Sequence, residues 1–278
     1  MSDLPDLLQV TEVGEGRYDV FQPSESAEGR DVVYSGQLLA QMIMASDQAA
    51  GGAKDVRSVH AVFARAGTYA QPIELVVESL QAGRTWASDT VTAVQGGKLL
   101  SRATVLLNVV DDDLMRHEPE MPAVPTPAEL ATGPGQVFPG AELRPVPGDH
   151  ETGGVPVEMA WHRFERPLAG SAANQAVLTW ATCGSIIGLG MRPHRDEVHI
   201  EDAHAGISTG VIAHTMHFLD RFDVSQWLLV RHEATKAATG RVYGDGRVFT
   251  EDGTLVATFH QDSMARAATA PLDPRRSL

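Results

Sequence analysis

The chain has 278 residues, with 22 Lys and Arg against 36 Asp and Glu, a formal charge of −14. An acidic surplus argues against a generic nucleic-acid binder, whose phosphate contacts need excess Lys and Arg. A hydrophobic fraction of 43% is enough to build a sizeable core, and the length allows two domains or one large one. The single cysteine, Cys183, excludes an internal disulfide and a thiolate zinc site, and fits a reduced intracellular setting. The acidic start Met1-Ser2-Asp3-Leu4-Pro5-Asp6 lacks the basic and apolar parts of a secretory signal. No window approaches the roughly 20 uninterrupted apolar residues that span a bilayer. A cytoplasmic protein without membrane insertion is expected.

In chain order, Gly36 to Ala49 carries good helix formers, with Leu38, Met42 and Ala45 on one face, and is predicted to be a helix. Four β-rich runs follow: Val59 to Arg65, Ile73 to Leu80, Trp86 to Val94 and Leu99 to Val109. Ala82-Gly83-Arg84 and Gln95-Gly96-Gly97 are credible hairpin turns between them. Eight of the 16 prolines then fall between Asp111 and Val155. Proline removes a backbone donor and fixes φ, so this span can be neither a continuous helix nor a central strand, and a surface linker is expected over 111–155. Its opening Asp111-Asp112-Asp113 reads as a solvated loop start rather than a calcium site.

The second half repeats the order of the first. Asn174 to Leu189 is a helix candidate, followed by runs at Val211 to Phe218, Trp227 to Thr235, Arg241 to Thr250 and Leu255 to Met264. His60-Ala61-Val62-Phe63 echoes His214-Thr215-Met216-His217-Phe218, with one extra residue in the later copy. Gly97 to Ser101 likewise echoes Gly253 to Ala257. Two copies of a helix followed by antiparallel strands imply an internal duplication, and copies that join sheet edges can share one core. The expected class is α+β. Its units are an N-terminal one over 1–110, the linker, a C-terminal one over 156–270 and a tail over 271–278.

The local sequence resembles the type II acyl-CoA thioesterase family. The segments that carry the resemblance are Tyr34 to Gln41, Val59 to Arg65, Ile212 to Phe218, Gln226 to Leu229 and Glu251 to Ala257, the last continuing into Gln261 to Arg266. The resemblance implies a double hotdog: two tandem units, each a long helix wrapped by an antiparallel sheet. It also implies hydrolysis of fatty acyl-CoA to free acid and coenzyme A. Similar proteins hold and activate a water with an aspartate on the second helix, a Ser or Thr just before the His-Ser/Thr-Met strand, and a glutamine on the final strand. Gln261 matches the glutamine. Cys183 stands at the aspartate's place and Val211 at the hydroxyl's, with Thr209 and Ser208 a short slip away. The catalytic set has therefore departed from the family's, with the glutamine retained.

Gln261 can position a water but has no titration that would make it a base. Cys183, expected mid-helix, gains little from the helix dipole, which favours a small buried hydrophobe over a nucleophile. Gln37 and Gln41 share a helical face, and Gln41 is a candidate polar contact between the halves. Asp47 is the nearest alternative carboxylate in the first half. The acyl chain would need an apolar tunnel, to which Leu38, Met42, Trp180 and Ile187 are candidates, and Arg65 and Arg84 are candidates for the coenzyme A phosphates. His60 and His214 occupy matching points of the repeat, and His60 is a further candidate contact to substrate. His194, His199 and His204, with Asp196, Glu201 and Asp202, read as a polar loop before a metal site. No metal or cofactor is called for. Two other readings stay open: a hotdog protein that binds acyl-CoA without turning it over, and a hotdog enoyl-CoA hydratase. Association into a homo-oligomer is expected.

Overall fold

A computed structural model describes residues 4–23, 31–133, 140–148, 150–198 and 206–268. The N-terminal half runs α1 (Leu4–Leu7), β1 (Val10–Gly14), β2 (Arg17–Val20), α2 (Ser35–Ala49), β3 (Asp55–Phe63), β4 (Glu74–Ala82), β5 (Trp86–Gln95) and β6 (Lys98–Asn108). The C-terminal half runs β7 (Ala141–Pro145), β8 (His150–Thr152), β9 (Val155–Phe164), α3 (Ser171–Thr182), α4 (Ser185–Met191), β10 (Ile207–Phe218), β11 (Leu228–Ala238), β12 (Arg241–Thr250) and β13 (Leu255–Ala267). The class is α+β, as expected.

All strands belong to one antiparallel sheet, ordered β1-β2-β4-β5-β6-β3-β10-β13-β12-β11-β9-β7, with β8 pairing β9. Read outward from the centre, β3, β6, β5, β4 and β2 match β10, β13, β12, β11 and β9 one for one. The strand order is therefore mirrored about the β3–β10 pair. The halves meet along β3 and β10, where Ala61 faces His214 and His60 faces Thr215. Leu39, Met42 and Ile43 of α2 and Ala176, Val177 and Leu178 of α3 fall in one core cluster with Val59 and Met216. The two helices thus share one core. The β5–β6 hairpin turns through Gly96 and Gly97, both at positive φ, as a two-residue turn between twisted strands requires.

Two expectations need correction. The single helix over 174–189 is two helices, α3 and α4, broken at Cys183 and Gly184. Within 111–155, where a surface linker without a central strand was expected, the marginal strands β7 and β8 form. They are short and lie at the sheet's margin, where a proline such as Pro145 removes no ladder bond from a central strand. The preceding stretch packs on the outer face of the C-terminal sheet. The Trp161 indole donates to Pro125 O at 3.0 Å, and Met121, Val124 and Leu130 cover a second cluster of Val157, Met159, Leu229 and Phe249. Among the described residues, no helix is long and apolar enough to cross a membrane.

Candidate active site

The break between α3 and α4 has a local cause and a tertiary one. Gly184 sits at φ 100°, ψ −28°, a left-handed conformation that a Cβ disfavours, and Cys183 before it is extended. A helix end leaves its last carbonyls without intrahelical donors. Here the Tyr34 hydroxyl, from the other half, donates to Trp180 O at 3.2 Å and to Cys183 O. From the opposite side the Gly184 N–H donates to Gln261 Oε1 at 2.7 Å. The Gln261 Nε2 in turn donates to Ser263 Oγ at 2.9 Å, and both side chains are fully buried. Two elements thus converge on the α3–α4 junction at Cys183 and Gly184: the start of α2 and β13.

Close approach of α2 depends on Gly36. A Cβ there would lie 2.6 Å from the Tyr34 ring, 2.9 Å from Trp180 O and 3.0 Å from Cys183 Cβ. Ser35 Oγ lies 3.3 Å from Cys183 Sγ. Burial pushes the thiol up to about 12, while the hydrogen bond to Ser35 pulls weakly the other way. Cys183 is therefore a neutral thiol at pH 7 and no thiolate nucleophile. Its position is not mid-helix, as expected, but at the junction itself.

Val211 and Thr209 lie on the inner face of β10, opposite Ser263 and Ala265 of β13. Thr209 is buried and Val211 half-buried. A residue that the sequence had assigned only a structural place, His214, faces Gln261 directly across the β10–β13 ladder. Its ring is fully buried, stacks on Phe259 at 5.8 Å, and neither nitrogen meets a hydrogen-bond partner among the described residues. Burial lowers it to about 4, with the Gln261 amide opposing and His260 adding to the fall. His214 is therefore a neutral imidazole at pH 7.

Several candidates fall elsewhere. His60 is exposed on the outer face of the sheet, bonded to Ser58 and Thr215 and edge-on to His217 at 5.1 Å. It cannot share the inner site with His214, because Ala61, not His60, is His214's neighbour. Gln41 is fully buried and donates to Leu7 O at 2.9 Å and Phe21 O at 2.7 Å, so it ties down the N-terminal segment rather than a ligand. Gln37 accepts from the Tyr69 hydroxyl at 3.1 Å, and that hydroxyl accepts from Tyr34 N–H at 3.3 Å. Gln37 therefore positions Tyr34. Trp180 packs in the core, 6.0 Å from the Tyr34 ring. Arg65 is exposed just beyond β3. Asp47 lies twelve residues beyond Ser35 on α2, about 18 Å along a helix, so it does not replace the missing carboxylate. His194 lies in a short 3₁₀ turn, whereas His199, Glu201, Asp202 and His204 lie outside the described residues.

Sequence reasoning named Gln261 and Cys183 as candidates but not Tyr34, Ser35, Gly184, His214 and Ser263 as their neighbours. For Tyr34 and Ser35 a signal existed: they open one of the segments that carried the resemblance.

Comparison with known proteins supplies the family. Residues 22–108 match the model of the acyl-CoA thioesterase N-terminal domain, and residues 116–265 that of the C-terminal domain. Acyl-CoA thioesterase 2 of Haemophilus influenzae is 24% identical over 264 residues, covering 89% of this chain and 92% of that one. Human acyl-coenzyme A thioesterase 8 is 24% identical over 262 residues, covering 84% and 80%. Among solved structures, an acyl-CoA thioesterase II of Mycobacterium marinum superposes with a TM-score of 0.80 at 22% identity, over 96% of this chain and 99% of that one. A hot dog fold protein of Alicyclobacillus acidocaldarius gives 0.74 at 19% identity, over 97% and 100%. With both domain models matched in order along the chain, the chain belongs to the type II acyl-CoA thioesterase family.

Proposed function

We propose that the protein hydrolyses acyl-CoA thioesters to free acid and coenzyme A, as a double hotdog whose working site is the junction of α3 and α4. The family match supports the reaction. The observation that carries the site is the convergence of Tyr34 and Ser35 from one half with Gln261 and His214 from the other on Cys183 and Gly184.

Hydrolysis needs a held water, an acceptor for its proton and donors for the developing oxyanion. The family's aspartate would supply the acceptor, and Cys183 at its place is a neutral thiol. The neutral His214 imidazole, beside Gln261, takes over that acceptance in this reading. Its lowered pKa makes it a weaker base than an ordinary histidine, so turnover is slow. Gln261 keeps the Gly184 backbone fixed against the water, and its second amide hydrogen holds the water itself. Ser35 and the first backbone N–H groups of α2 face the carbonyl oxygen, where a helix start favours negative charge. Arg65 remains our candidate for the coenzyme A phosphates. The outer face of the central strands carries exposed Val62 and Leu106, which supports association into a homo-oligomer.

The test is release of free thiol from acyl-CoAs of several chain lengths. Gln261→Ala should lose most of the activity, and Cys183→Asp should raise it by restoring a carboxylate. Activity unchanged in both variants would place the chemistry elsewhere. A second reading, binding without turnover, is favoured by the absence of a carboxylate at Cys183 and a hydroxyl at Val211. Tight binding of acyl-CoA with no thiol released would select it.

A further inference from the structure

The polar groups assigned to the reaction are sealed. Gln261, Ser263 and His214 keep none of their surface and Cys183 keeps 2%. Reacting atoms have to approach to about 3–3.5 Å, and neither a water nor a thioester carbonyl reaches a side chain without exposed surface. Whatever covers Gln261 therefore moves before the reaction proceeds.

The cover on the inner face is α4. Gly184, just before it, donates to Gln261 Oε1 at 2.7 Å. Ile186, fully buried, stands over Gly244, the neighbour of Gln261 on β12: a Cβ at Gly244 would lie 2.8 Å from Ile186 Cγ2. Toward its other end, Gly190 rests on Val242, the β12 neighbour of Ser263. Among the described residues no hydrogen bond joins Ser185–Met191 to β12 or β13, so apolar packing alone holds the helix there.

Three features make this helix the movable piece. It has seven residues, Gly188 and Gly190 among them, and so short a helix has little stability of its own. It joins α3 through Gly184 at φ 100°, where the lack of a Cβ gives the backbone freedom to rotate. A cavity of about 260 Å³ lies beside it on the β9 side, away from β13, lined by Ser185 at one end of α4 and Arg192 just past the other, with Met159, Ala160 and His232 behind. Arg192 already bonds Val157 O of β9 at 2.9 Å, on that same side.

We propose that α4 is a gate: it swings about Gly184 into this cavity, uncovers Gln261 to water and the acyl group, and closes again once they are in place. The inference rests on the acyl-CoA reading above. Rotation about the Gly184 Cα–C bond carries α4 away while the Gly184 N–H stays on Gln261, so the pivot keeps its anchor as the cover lifts. A hinge at an element's end and a lid that shuts water out are the usual parts of such a device.

The experiment pins the end of α4 far from the hinge, in the double variant Gly190→Cys, Val242→Cys. The second substitution removes the two methyl groups that a side chain at 190 would meet, and the Cβ–Cβ separation of 3.4 Å is close to the roughly 3.5–4.5 Å of a disulfide. Coenzyme A released from hexanoyl- and dodecanoyl-coenzyme A is followed by chromatography, so that reductant does not interfere. The bridged form should turn over at least about tenfold more slowly than the same protein reduced, and reductant should restore the rate. Hydrogen exchange needs no bridge and decides alone should the bridge not form: amides of α4 should exchange at least about tenfold faster than those of α3. Bridged and reduced forms with equal rates, or α4 amides as protected as those of α3, overturn the gate while leaving thioester hydrolysis standing. No coenzyme A released by the parent from either substrate overturns both.

Discussion

Acid should destabilise this protein through three imidazoles in the C-terminal half. Burial holds His162 and His214 at about 4 and His232 at about 3, against roughly 6.5 in an unfolded chain. A folded pKa below the unfolded one means that the native state binds fewer protons. The associated stability is complete above pH about 6.5 and is lost as pH falls toward the folded values. Between pH 7 and pH 5 the unfolded chain takes up a proton at each ring while the native rings stay neutral, which costs about 2 kcal/mol per ring and about 6 kcal/mol together. Set against a total of roughly 5–15 kcal/mol, that is a large share. Asp47 and Asp89 act with the opposite sign, because burial raises both carboxyls and protonation favours the folded form. Urea unfolding followed by tryptophan fluorescence at pH 7, 6 and 5 gives the slope directly. The parent should lose about 6 kcal/mol over that range and His232→Leu about 4 kcal/mol. Identical pH slopes in the two proteins would refute the reasoning.

Other outcomes follow from the junction. Cys183 should resist alkylation by iodoacetamide at pH 8 in the native protein and react at once in urea, since burial keeps its thiol protonated; fast native labelling would contradict the neutral thiol. Gly36→Ala should lower stability by about 1–3 kcal/mol, because the added methyl meets the Trp180 carbonyl and the Tyr34 ring, and an unchanged urea midpoint would count against that packing. Tyr34→Phe removes the donor to two carbonyls at the end of α3, one of them Trp180 O at 3.2 Å. It should cost about 1–3 kcal/mol and lower thiol release more than it weakens substrate binding, which a split of kcat from KM would show.

The strands that follow each helix were legible because their turns carry the residues the geometry demands. Gly96 and Gly97 both adopt positive φ, and Gly253 does so before β13. By contrast, β9 escaped notice because the proline-rich stretch covers its outer face, so Val157, Met159 and Trp161 are buried on one side and Ala160 and Phe164 on the other, and no alternation survives. The helix break was invisible for a different reason. Gly184 permits a stop without forcing one, and the junction is fixed by partners from Tyr34, 149 residues upstream of Cys183, and from Gln261, 77 residues downstream of Gly184. Histidines 60 and 214 show the limit of reading a repeat by eye. A one-residue offset in register puts one on each side of the sheet, which no similarity of motif reveals.

The strand order has one more implication. Along β13 the inner face presents Gln261 beside the junction, whereas the matching strand β6 presents Ala103 and Val105, both buried. A symmetric pair of identical chains could not arrange this, since any side chain placed at one of its two related clefts must appear at the other. Within a single chain that constraint is absent, so the N-terminal half fills the matching position with hydrocarbon while the C-terminal half carries the amide and the imidazole.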